Sequence, residues 1–95
     1  MPFDLQFLPS ALKEWEKLGA PVRAQFKKKL AERLEHPRVP KDALHGMRDH
    51  YKIKLRDAGY RLVYRVEDAI VTVTVVAVGR RDRSQVYRDA ARRHE

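Results

Sequence analysis

The chain has 95 residues, 43% of them hydrophobic and 36% charged, with a formal net charge of +8 and a sequence pI near 10.1. That length supports one small core rather than two. The absence of cysteine removes disulfides, thiolate zinc sites and cysteine nucleophiles together and fits a reducing compartment, while the positive balance points to a polyanionic partner, nucleic acid before an anionic membrane.

Phe3, Leu5 and Phe7 alternate with Asp4 and Gln6, which predicts a first strand ending at Pro9. Ser10 is the expected cap of a helix running to Leu18, with Leu12, Trp15 and Leu18 facing the core and Gly19 as its stop. Pro21 suits the first turn of a second helix, on which Val22, Phe26, Leu30 and Leu34 recur every four residues until His36-Pro37 ends it. The two helices are expected to form a hairpin. Lys27, Lys28 and Lys29 then cover its outward face beside Arg23 and Arg33, either as a solvated surface or as a contact for phosphate. Residues 37–49 carry two prolines, one glycine and mixed charge and read as a loop anchored by Leu44 and Met47.

From Tyr51 to Val66 the sequence YKIKLRDAGYRLVYRV reads as two strands around the turn Asp57-Ala58-Gly59. Tyr51, Ile53 and Leu55 share one face, and Lys52, Lys54 and Arg56 the other. On the return strand Tyr60, Leu62, Tyr64 and Val66 form the apolar row opposite Arg61, Val63 and Arg65. Pairing Leu55 with Tyr60 sets Lys54 against Arg61 and Lys52 against Val63, so three cations converge. Opposed like charges weaken a sheet, and a polyanion that neutralises them explains the pattern better than folding alone. The alternative is a charged edge that blocks aggregation.

Residues 69–78 form a Val-dominated run expected to be a central strand covered on much of both faces. After Gly79 the chain turns basic, and Ser84 is positioned to cap a last helix reaching about Arg93. Its apolar face is thin, with Val86, Ala90 and Tyr87. The whole predicts a single α+β domain over 1–95: a small, mostly antiparallel sheet, an N-terminal helical hairpin on one face, the other face free, and a short C-terminal helix. No apolar run approaches the about 20 residues of a spanning helix, and the N-terminus does not resemble a signal peptide, so no membrane association and a cytoplasmic location are expected.

Four histidines, at 36, 45, 50 and 94, without cysteine or paired carboxylates, indicate no metal site, and no glycine-rich loop indicates a nucleotide cofactor. What remains is cleavage of RNA. It needs a base for the 2′-hydroxyl and cations around the transition state. Crowding by Lys52, Arg56 and Arg61 would depress the Lys54 ammonium and make that lysine a base. Arg61 and Arg81, always protonated, suit the phosphate and the leaving oxygen. Tyr87 either stacks on a base or covers the core.

The runs ALKEWEKLG at 11–19, the hairpin at 51–66 and VGRRDRSQVY at 78–87, in this order and spacing, resemble the RelE toxins of bacterial toxin–antitoxin modules, in the RelE/ParE superfamily. The match covers nearly the whole chain. The resemblance implies a ribosome-dependent mRNA interferase, a toxin that cuts messenger in the ribosomal A site without a metal and is restrained by an acidic RelB-like antitoxin, with which it forms a higher-order complex on operator DNA. By position it implies Lys52 and Lys54 as base and electrostatic pair, Arg61 on the phosphate, Arg81 at the leaving oxygen and Tyr87 stacking on the base. Lys27, Lys28, Lys29, His45, Arg56, Arg65 and Arg83 complete the candidate RNA contacts. At His45 close relatives tend to carry arginine, a departure expected to weaken one RNA contact. The fold also hosts ParE-like toxins that inhibit DNA gyrase, so that activity, or RNA binding without cleavage, is the alternative.

Overall fold

A computed structural model describes residues 2–94, apart from the Arg83 side chain. Strand β1 (Asp4–Phe7) leads into helix α1 (Pro9–Glu16) and helix α2 (Ala20–Glu35); a 3₁₀ turn (Pro40–Asp42) precedes strands β2 (His50–Leu55), β3 (Tyr60–Glu67) and β4 (Thr72–Arg80), and helix α3 (Gln85–Arg92) follows. The sheet order is β1-β4-β3-β2. Only the β1–β4 ladder is parallel, so the α+β, mostly antiparallel expectation holds.

The helix boundaries differ in instructive ways. Pro9 is the first residue of α1 and Leu8 its cap, because proline's missing N–H costs nothing at that position; Ser10 is therefore already inside the helix. Ala11, Trp15 and Leu18 are buried while Leu12 is 41% exposed, since the four-residue step from Ala11 to Trp15 follows the helical repeat better than the three-residue step from Leu12. The first helix stops at Glu16 with Lys17 as its C-cap, short of the expected Leu18, so Gly19 is not its stop but the N-cap of α2. On α2, Phe26 and Leu30 are buried and Val22 and Leu34 pack against them.

The hairpin forms in the expected register, with Leu55 opposite Tyr60, Lys54 opposite Arg61 and Lys52 opposite Val63. On the β4 side the register shifts between Val63 and Tyr64, and such a bulge re-aims side chains. Leu62, Val63 and Tyr64 are all fully buried. Val63 pairs with Lys52 and so points to the face opposite that of Leu62 and Tyr64. It shares its face with Ala77 and Gly79, the latter 3.9 Å from the Val86 Cβ when given a Cβ of its own. Helix α3 thus packs on β3 and β4, and the face expected to be free is partly covered. The sequence pattern hid this because Val63 sits between two arginines.

Strand β1 shields β4 only as far as Val75. Beyond it Glu14 accepts the Val78 N–H at 3.0 Å, while Arg93 donates to the Val76 carbonyl at 2.9 Å and to Glu14 at 2.8 and 2.9 Å. Two side chains thus occupy an edge that would otherwise be an open template. On the far side Arg33 is not the outward cation its position suggests. It donates to the Lys52 carbonyl at 3.2 Å, the Tyr64 hydroxyl at 2.8 Å and Asp42 at 2.6 Å.

Tyr64 is fully buried, and its hydroxyl donates to the Pro37 carbonyl at 2.6 Å while accepting from Arg33. Tyr64→Phe strands both partners in a dry site, so urea unfolding should show a loss of about 1–3 kcal/mol. Unchanged stability would mean that this network does not hold α2 to the sheet.

Candidate active site and cationic surface

The site begins with the edge strand β2. Tyr51, Ile53 and Leu55 are buried, so Lys52, Lys54 and the following Arg56 are turned away from the core. Arg61 arrives directly opposite Lys54. The Lys52 ammonium, together with partial desolvation and the charges of Arg56 and Arg61, lowers the Lys54 pKa below the usual lysine value, and Asp42 opposes this shift. The cause is repulsion: a second positive charge nearby disfavours protonation.

The end of β4 adds to this surface. Tyr60 pairs with Arg80 and Arg61 with Gly79, and the Arg80 guanidinium lies 5.4 Å from the Tyr60 ring centroid. The Arg81 N–H donates to the Gly59 carbonyl at 3.0 Å, which fixes the start of the last segment to the hairpin turn. Arg81 is exposed. Helix α3 approaches the same face through Val86, and Tyr87 follows, half-buried and packed against the core. Lys52, Lys54 and Arg61 thus share one face of the hairpin, Arg81 follows from the tether to the hairpin turn, and Tyr87 sits on the helix that packs on β3 and β4.

The remaining candidates separate. Lys27, Lys28 and Lys29 are all exposed but do not act as one patch, because residues two apart on a helix lie about 200° round its axis. Lys29 lines a cleft with Lys54 and Arg56, whereas Lys27 borders an apolar hollow with Leu5, Phe7 and Trp15. Arg65 pairs with His50, at the opposite end of the hairpin from Lys54. That is about 13 Å from Arg61 at a rise of about 3.3 Å per residue, and Arg65 meets Glu67 at 3.5 Å. His45 is exposed in the loop before β2. The Arg83 side chain lies outside the described residues. Lys41, Asp42 and Arg80 join the surface without having been singled out in the sequence. The first two sit in a polar loop whose folding toward β2 has no local signature.

Among the described residues no group of three His, Asp or Glu side chains could hold a metal ion, and no helix is long and apolar enough to cross a membrane. What the arrangement offers chemically is an amine with a lowered pKa, guanidinium groups beside it, and one aromatic ring.

A family model described as the ParE toxin of the type II toxin–antitoxin system parDE matches residues 5–85. Over 93 residues, covering 98% of both chains, this chain is 57% identical to the mRNA interferase toxin RelE of Escherichia coli K12 and equally to the mRNA interferase RelE of Shigella flexneri. Among solved structures, a double arginine-to-alanine mutant of E. coli RelE in the free state superposes with a TM-score of 0.92 at 54% identity over the whole of both chains. The intact E. coli RelBE toxin–antitoxin complex contains a chain matching at 57% identity and TM-score 0.82, over 85% of this chain and 99% of that one.

Removing one neighbouring charge tests the electrostatics directly. In Arg56→Ala the Lys54 ammonium, relieved of a like charge, should titrate at higher pH than in the unmodified chain, as read from its side-chain NMR signals. An unchanged or lower midpoint contradicts the crowding account.

Proposed function

The chain belongs to the RelE/ParE family of type II toxin–antitoxin toxins, and from that premise we propose that it is an mRNA interferase, an endoribonuclease that cuts messenger in the ribosomal A site. The observation that carries this reading is the register that sets Lys54 directly opposite Arg61 with Lys52 on the same face, a crowding that lowers the Lys54 pKa. Neutral Lys54 takes the proton of a 2′-hydroxyl. The 2′-oxygen bonds to phosphorus as the bond to the 5′-oxygen breaks, leaving a 2′,3′-cyclic phosphate and a 5′-hydroxyl that takes a proton from solvent. Lys52 lowers the Lys54 pKa and adds positive charge near the phosphate, Arg61 meets the equatorial oxygens, and Arg81 meets the leaving oxygen. Tyr87 supplies a ring for stacking.

The surface is open, and an open surface cannot by itself force a flexible strand into line. Orientation is worth about 7–11 kcal/mol of barrier, and the ribosome provides it by holding messenger in a fixed path. Lys28, Lys29 and Arg56 then dock on RNA phosphates, with His45 a weaker contact than arginine. Action on translating ribosomes places the protein in the cytoplasm. The family model's ParE description keeps one competing reading in play, a toxin that inhibits DNA gyrase without cleaving RNA. The 57% identity to two mRNA interferases over 98% of both chains argues for cleavage instead.

The partner that restrains the toxin is a RelB-like acidic antitoxin, as in the RelBE complex that this chain resembles, and the pair forms a higher-order assembly on operator DNA. An acidic, extended chain complements the +8 charge. Co-expression of the acidic protein encoded beside the toxin gene should restore growth; persistent arrest despite a formed complex would refute inhibition.

Single-turnover cleavage of a short messenger should be orders of magnitude faster on programmed ribosomes with an empty A site than on naked RNA. There, Lys54→Ala should lose about 10²–10⁴ in rate, the usual contribution of a general base, with ribosome binding intact. Full activity of purified Lys54→Ala would remove it from the chemistry.

A further inference from the structure

We propose that the cleft between α2, the 40–42 turn and β2 is a second phosphodiester subsite, in which Lys29, Lys41 and Arg56 hold an RNA phosphate beside Lys54 and the Arg33–Asp42 pair sets the width of the cleft. The proposal rests on the reading above that RNA is the substrate.

The cleft measures about 530 Å³ and is lined by Lys29, Lys41, Asp42, Lys54 and Arg56. That volume is ample for one nucleotide, since ligand sites run from about 300 to 1,000 Å³, but its lining is charged and so selects an anion. Four of the five lining residues are cations, and they come from α2, the 40–42 turn, β2 and the turn that follows it. Among the described residues none of these four meets a carboxylate at ion-pair distance. The one carboxylate in the cleft is already neutralised: Asp42 bonds Arg33 at 2.6 Å, with side chains only 16% and 14% exposed. An anion entering the cleft therefore meets cations whose countercharge the fold does not supply.

The same pair explains why the cations stay together. Arg33 lies one helical turn beyond Lys29, on the same face of α2. Asp42 is the neighbour of Lys41. By donating to the Lys52 carbonyl at 3.2 Å and to the buried Tyr64 hydroxyl at 2.8 Å, Arg33 ties both elements to the strand that carries Lys54. A strand of RNA whose scissile phosphate lies at Lys54 and Arg61 would place a flanking phosphate in this cleft. The backbone of ribosomal RNA presents the same chemistry.

The test reads binding rather than cleavage. A short fluorescent RNA with a 2′-deoxy sugar at the cut position is titrated with the full chain over a range of salt, and parallel titrations use programmed ribosomes. Lys41→Ala and Arg56→Ala, both at exposed side chains, should weaken binding several-fold and flatten the salt dependence by roughly 0.7 per lost contact, the single-strand value. Lys17→Ala, an equal charge change at the end of α1, should do neither. Asp42→Asn, which breaks the ion pair that sets the width of the cleft, should weaken binding as well, and tightened binding would contradict that role of the pair. An effect on the short RNA identifies the phosphate as messenger, and one confined to ribosomes and kept when they carry no messenger identifies it as ribosomal RNA. If Lys41→Ala and Arg56→Ala match Lys17→Ala in both titrations, the subsite does not exist. Because the probe cannot be cut, that outcome is separate from failure of the nuclease reading, which would leave binding intact and messenger whole.

Discussion

The burial of one face of the hairpin compels the charge crowding on the other. Ile53 and Leu62 face each other at 1% and 0% exposure, and a slip of one residue would turn the whole apolar row to water. Lys54 and Arg61 are thus held opposite each other by the hydrophobic side of the same two strands, whatever their repulsion costs. The lowered pKa of Lys54 comes first from Lys52, its same-face neighbour on β2, then from partial desolvation, with Arg56 and the opposed Arg61 adding to it.

The rest of the molecule protects this arrangement. The sheet's core strand β4 is buried along 72–78 and gives β3 a rigid neighbour. Arg33 satisfies the exposed edge of β2, while Glu14 and Arg93 satisfy the uncovered edge of β4. Arg38 joins Asp49 and Asp68 at 3.0 and 2.6 Å and so ties the loop before β2 to the β3–β4 connection. Its guanidinium is held more firmly protonated by the bond to Asp68 and then those to Tyr51 and Asp49. Rigid strands suit a site whose function is to hold cations at set distances, since each would otherwise relax away from its neighbours.

What could be read from the sequence was whatever short-range periodicity encodes. Alternation gave the hairpin, its register and the crowded lysine. Four-residue spacing gave α2, and the Val-rich run gave the central strand. The failures all required knowledge of what a residue meets at long range. Val63 reads as a member of a polar row until α3 is seen to cover it. Arg33 reads as a solvated cation until Asp42 and Tyr64 close around it. Lys41 and Asp42 carry no periodic signal, and only the folding of the loop against α2 and β2 reveals them as walls of a cleft. Lys27 to Lys29 look like one patch in sequence, yet helical geometry sends them to different neighbours.

On this reading a crowded sheet face cleaves messenger that the ribosome holds in place. Mapping the ends of cellular messenger within minutes of switching on expression tests this most directly. The account predicts new 5′-hydroxyl ends inside translated codons, matched by 2′,3′-cyclic phosphates on the upstream fragments and absent from untranslated regions. Growth arrest with messenger intact would contradict it and would assign the cationic face to binding alone.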